Sequence, residues 1–197
     1  MTENPLKQKL QGYHLILGSG SPRRKRFFED LGLEFEVRPK SVDEIYPTHL
    51  QGQEISEYLA QLKAEPFKQE LRPQDLVVTS DTVVWYQGQS LAKAETPEEA
   101  FQMLRTLSED WHEVITSVCF KTHSFQKVAS AITMVKFKEF SDAEINFYIE
   151  QCQPFDKAGA YGIQEWIGMI GISEIKGSYT NVVGLPTHLV YETLMSL

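Results

Sequence analysis

A chain of 197 residues, 42% hydrophobic and 23% charged, has the material for one sizeable core and the balance of an ordinary globular domain. Its 19 Lys and Arg stand against 27 Asp and Glu, and a net charge of −8 argues against a nucleic-acid polymer or anionic membrane as partner. Two cysteines exclude a disulfide framework or zinc site, and with no signal-type leader or apolar run of ~18 residues a cytoplasmic location is expected.

Taken in order, residues 1–12 read as a poorly ordered extension of a single domain spanning 1–197. "YHLILG" (13–18) is a buried strand. A helix should follow, with Ser21 as N-cap, Pro22 at its first position and Gly32 just past its end. "LEFEVRP" (33–39) alternates like a strand, and 40–52 is a loop. Ile55, Leu59 and Leu62 share one helical face in 53–70. The β-branched run 75–88 is a central strand or a strand pair. Thr96, Pro97 and Glu99 predict a capped helix start with a capping box, and Ser141 with Glu144 predicts a second. Between them lie two β-rich stretches, 112–122 and 127–140. The Gly-rich tail, 157–184, suggests short strands before a final helix from about Pro186. Strands and helices interleave without a linker, which predicts an α/β chain with a mixed, twisted sheet flanked by helices.

The chemistry begins in "GSGSPRR", 18–24. A Gly/Ser turn entering a helix offers backbone N–H groups to an anion, and Arg23 and Arg24 add bidentate phosphate donors. Two cations in a first turn oppose the helix macrodipole, a cost that a bound anion would reverse. The stretch lacks the third glycine of a dinucleotide fingerprint and the Gly-Lys-Ser/Thr of a P-loop, so alone it is also an ordinary strand-to-helix connection.

Asp81 lies in the apolar run "VVTSDTVVW", where a carboxylate must be paired, metal-bound or at a strand end; an Asx turn is the structural alternative. Asp43-Glu44 supplies further carboxylates of the type Mg²⁺ uses with water and phosphate, or is a solvated loop. Lys63 and Lys93, each alone a surface lysine, would complete a set for phosphoryl chemistry. In "FDKAGAYGIQEWIG" (155–168) Gly159 and Gly162 permit close backbone approach, and Gln164 can both donate and accept, as reading a base edge requires. The five histidines are scattered and form no metal template, and no nucleophile elbow is present.

Taken together, "SGSPRRKRFFEDLG", "VDE", "LAQLKAE", "SDTVV", "LAK", "DKAGAYGIQ" and "GSYTNVVGLP" occur in the order and spacing of the Maf family, which the chain resembles from about His14 to its C-terminus. The resemblance implies a nucleoside triphosphate pyrophosphatase with a fold similar to the inosine triphosphate pyrophosphatases. Such an enzyme cleaves the α–β phosphoanhydride with a divalent cation, Mg²⁺ or Mn²⁺. It carries functional positions onto Ser19, Arg23, Arg24 and Gln164 for substrate, and onto Asp81, Glu44, Lys63 and Lys93 for catalysis. Asp81 falls at the proton-acceptor position, and Glu44 with Asp81 would hold the metal. "DKAGAYGIQ" resembles the dTTP/UTP branch rather than the 7-methyl-GTP branch. Two departures stand out: Ala94 where proline is usual after the lysine, and Glu165 where glycine is expected. A nucleotide-binding regulator of cell division without turnover, and a pyrophosphatase for other triphosphates, are the rival readings. Exposed edge strands in a mixed sheet would allow a homodimer.

Overall fold

The β-branched run folds as β3, Asp75–Tyr86, a strand buried along most of its length on which the rest of the sheet is organised. The computed structural model describes residues 4–197. β1 (His14–Leu17) pairs parallel with β3 and with the two-residue β2 (Glu36–Val37). On the other side β3 pairs antiparallel with β5 (Trp111–Lys121), which pairs with β6 (Gln126–Phe137), which pairs with β7 (Ile172–Lys176). The short β4 (Gln89–Leu91) folds back onto the far end of β3, giving seven strands in one mixed sheet.

Strand alternation sorts the core onto two faces. Leu76 and Val78 pack with Leu15, Leu17 and Phe28 of α2 (Pro22–Asp30), and with Val190 and Leu194 of α8 (Thr187–Met195). On the opposite face Val83 packs with Ile55 and Leu59 of α3 (Gln53–Ala64), and Val77 packs with Phe67 in the 3₁₀ turn after it. A separate cluster joins Val84 and Val114 to α4 (Pro97–Leu107), α5 (Asp142–Cys152) and α6 (Trp166–Gly171). The remaining helix, α7 (Tyr179–Val183), lies against β5 and β6. No described helix is long and apolar enough to cross a membrane.

One property of β3 creates the site. β1 stops at Leu17, opposite Val78, and antiparallel β4 reaches back only as far as Leu91, opposite Val84. From Thr79 to Val83 the edge of β3 away from β5 has no strand beside it among the described residues.

The structure corrects several expectations. The extension expected at 1–12 contains α1 (Pro5–Lys9): Asn4 caps it through the Leu6 amide, its Nδ2 donates to the Leu31 carbonyl, and Leu6 is 1% exposed. Burying one leucine contributes about 2 kcal/mol, enough with the cap to hold a single turn against α8. Residues 1–3 lie outside the described residues. The strand expected over 33–39 is reduced to Glu36–Val37 at the sheet edge, and the tail holds two short helices beside its one strand. Thr96 caps α4 through the Glu99 amide, but Glu99 reaches the Glu95 amide, so only Ser141 and Glu144 form a reciprocal box. The caps expected at Ser21 and Ser141 are present, and Gly32 is left-handed (φ +69°) just past α2.

Candidate active site

The Gly/Ser turn leaves β1 at Gly18 and enters α2 at Pro22. Gly18 has no room for a side chain, since a Cβ there would lie 2.7 Å from Thr79 Cγ2 and 3.2 Å from the Phe67 ring. Glycine therefore lets the turn hug β3, where the Gly18 amide donates to the Val78 carbonyl at 2.9 Å. Ser21 accepts from the Arg24 amide as N-cap, and Ser19 Oγ accepts from the Ser21 amide.

The arginines are held differently. Arg24 is fixed at all three nitrogens: Nε donates to the Gly184 carbonyl (2.9 Å), Nη1 to Ser19 Oγ (3.4 Å) and Nη2 to Thr82 Oγ1 (3.3 Å). Burial lowers its pKa, opposed by Asp81 and reinforced by Arg23, although an arginine remains charged through neutral pH. Arg23 is looser, pairing at 3.1 Å with Asp156, a largely exposed partner. The Gly184 carbonyl is in place because buried Asn181 pins α7 to the sheet, donating to the Val114 carbonyl and Thr133 Oγ1. Thr116 links that helix to Thr82, donating to the Asn181 carbonyl and bonding Thr82 at 2.9 Å.

Consecutive residues of β3 serve opposite faces of the sheet. Thr82 reaches Arg24 on the α2 side, and Asp81 reaches Lys63 of α3 on the other, at 2.5 Å. Lys63 also lies 3.0 Å from Glu44, and the more exposed Lys93 lies 3.7 Å from Glu44. Asp81 is thus ion-paired rather than closing an Asx turn, and Lys63 is no surface lysine. Partial burial raises the Glu44 pKa, but Lys63, Lys93 and Arg24 together outweigh it and hold Glu44 below the usual carboxylate value.

The third wall is the turn 156–165. It is tied to β4 by the Gly159 amide, which donates to the Leu91 and Ala92 carbonyls, and by a bridge between Lys93 and Ala158. Gly159 (φ +67°) is left-handed and packed so closely on Val84 that a Cβ would sit 3.0 Å from Cγ1. Gln164 is exposed to the cleft and makes no hydrogen bond among the described residues.

Ser19, Arg23, Arg24, Glu44, Lys63, Asp81, Lys93 and Gln164 all line one cleft of about 670 Å³ at the open edge of β3. Sequence reasoning missed Lys40, Tyr161, Thr82 and the Gly184 carbonyl. Lys40 lacked a motif, Tyr161 reads as core, and the carbonyl is invisible to side-chain patterns. Six cationic side chains (Arg23, Arg24, Lys40, Lys63, Lys93, Lys157) face three carboxylates (Glu44, Asp81, Asp156), in a chain whose net charge is −8. The local excess of positive charge is the field a polyanion requires.

Among the described residues no three His, Cys, Asp or Glu converge as a protein-only metal cage. Asp81 and Glu44 nevertheless aim at one point, where both contact the Lys63 ammonium. Two carboxylates completed by phosphate oxygens and water form a donor set suited to Mg²⁺ or Mn²⁺.

A family model described as Maf-like protein matches residues 14–197. The chain belongs to that family. A relative from Flavobacterium johnsoniae, named dTTP/UTP pyrophosphatase, is 54% identical over 98% of this chain and 99% of its own length. One from Flavobacterium psychrophilum with the same name is 53% identical over 97% and 98%. Among solved structures, the Staphylococcus aureus Ham1 protein overlaps 63% of this Maf-like chain and 71% of its own, at 15% identity and a TM-score of 0.44.

Proposed function

We propose that this Maf-like protein hydrolyses nucleoside triphosphates, dTTP and UTP foremost, to the monophosphate and pyrophosphate. The observation that carries the reading is the cleft itself: six cations line it together with Asp81 and Glu44, beside a helix-entry turn. The relatives' names, at half identity over nearly full length, supply the base preference.

In this reading the triphosphate lies along the 18–24 turn. Arg24, immobilised by three acceptors, and the looser Arg23 take phosphate oxygens, and Ser19 adds a hydroxyl. Phosphate charge competes with Asp81 for Lys63, releasing the carboxylate to orient a water and accept its proton as that water adds across the α–β anhydride. The P–O bond to the bridging oxygen breaks, and Lys63 and Lys93 offset the charge on departing pyrophosphate. Asp81 and Glu44, together with the phosphates, would hold a divalent cation, which would supply further charge neutralisation. Gln164 meets the pyrimidine edge.

The test is pyrophosphate release from a panel of triphosphates, compared as kcat/KM with and without divalent cation. Metal-dependent release, greatest for dTTP and UTP, is the expected result. Tight binding with no pyrophosphate released would replace this reading with that of a nucleotide-binding regulator.

A further inference from the structure

The family resemblance leads to glycine after Gln164, yet this chain has Glu165, and its carboxylate is fully engaged. Oε1 lies 2.8 Å from Lys157 Nζ, and Oε2 accepts a short hydrogen bond from the Tyr148 hydroxyl. That hydroxyl also accepts from the Gly162 amide at 3.1 Å, and the Glu165 amide donates to the Gly162 carbonyl. The side chain lies across Gly162 so closely that a Cβ there would meet Glu165 Cδ at 2.8 Å. Tyr148 is wholly buried, so one end of the chain of bonds is anchored in the core.

The turn needs such an anchor. Ala160 takes a left-handed conformation (φ +55°) next to Gly159, which a non-glycine residue adopts only when its surroundings hold it. Gln164 has no bond of its own among the described residues, so its place in the cleft is set by the backbone on either side, Gly162 before it and Glu165 after it.

We propose that Glu165 is a positioning residue for nucleotide binding: by bridging Tyr148 and Lys157 it presets the 156–165 turn that presents Gln164 to the base. The proposal rests on the nucleotide reading of the cleft. It confines the effect of Glu165 to the base end. The link from Lys157 to Arg23 runs through Asp156, whose side chain is 62% exposed, so solvent screens both pairs and little of the effect reaches the phosphate turn.

Two probes separate base end from phosphate end: α,β-imido-dTTP and inorganic tripolyphosphate, titrated calorimetrically into wild type, Glu165→Ala and Glu165→Gln. Loss of preorganisation in Glu165→Ala should weaken the nucleotide analogue by about tenfold and leave tripolyphosphate within about twofold. KM for dTTP should rise while kcat stays within about twofold, and Glu165→Gln, which keeps an acceptor for Tyr148, should fall between wild type and Ala. Equal loss of both ligands, no loss in a folded Glu165→Ala protein, or a Gln variant no better than Ala would each overturn the proposal. If Glu165→Ala does not fold, Tyr148→Phe cuts the same bridge, and an unchanged analogue affinity there would overturn it. A wild type that binds the analogue but releases no pyrophosphate removes turnover alone, and the calorimetry still decides Glu165. A wild type that binds no analogue overturns both.

Discussion

Lys63 closes on Asp81 at 2.5 Å from a neighbouring helix, and that pairing lets a carboxylate sit 5% exposed within an apolar strand. Two substitutions separate its structural share from its chemical one. Asp81→Asn should bind nucleotide normally and lose about 10²-fold or more in kcat. Lys63→Met strands the carboxylate and should cost roughly 2–4 kcal/mol in metal-free urea unfolding, less than a fully buried pair because the site is partly wet. The double variant should recover most of that stability and none of the activity. Near-normal turnover by Asp81→Asn would end its assignment as base.

Arg24 and Arg23 are adjacent, but only Arg24 is held by three acceptors. Arg24→Lys keeps the charge and loses the planar fork, leaving the Gly184 carbonyl without its side-chain donor. Its kcat/KM should fall by about tenfold or more, well beyond the effect of Arg23→Lys, whose partner Asp156 is exposed. Equal effects in a side-by-side kinetic comparison would contradict the distinction.

Gly18→Ala places a methyl 2.7 Å from Thr79 Cγ2. Overpacking of this kind costs about 1–3 kcal/mol and should push the phosphate turn outward, raising KM. Thr79→Ser removes the opposing methyl while keeping the hydroxyl that donates to the Ala60 carbonyl. In that background Gly18→Ala should regain part of both stability and affinity, as read by melting temperature and KM.

Acid sensitivity has an identifiable source above the carboxylate range. His112, 1% exposed, bonds the Tyr161 hydroxyl through Nε2 while its Nδ1 has no partner among the described residues. Burial, only partly opposed by Asp110, pushes its pKa from 6.5 down to about 4. Between those values the unfolded chain binds the extra proton, so stability falls as pH drops from about 6.5 to 4, by roughly 2–3 kcal/mol. Asp75, held near 2 chiefly by Arg72 against its burial, adds a separate loss only below its ordinary value of 3.8. Urea unfolding of His112→Gln should show a flatter profile between pH 6.5 and 5; an unchanged slope would contradict the assignment.

The site was legible where residue chemistry conflicts with its surroundings. An acid in an apolar strand and two arginines at a helix start are energetically awkward alone, and the fold resolves both in one cleft. What escaped was structure made by packing rather than propensity. α6 contains Gly168 and Gly171, which read as breakers, yet a Cβ at Gly168 would fall 2.0 Å from the Ile163 carbonyl and one at Gly171 2.1 Å from the Phe140 ring. Those glycines are there because the helix is pressed against its neighbours. Similarly, Leu6 and Asn4 gave too short a pattern to reveal α1, whose partners lie at the other end of the chain.

The interruption beside β3 gives the cleft a built-in reporter. From Thr79 to Val83 alternate amides turn away from β5 toward a side where, among the described residues, no strand receives them. In the free protein these should trade hydrogen for deuterium faster than the amides between them, which are locked to β5. A molecule seated at the open edge shields them without any change of fold, so occupancy could be followed by exchange at the strand that carries Asp81, independently of turnover.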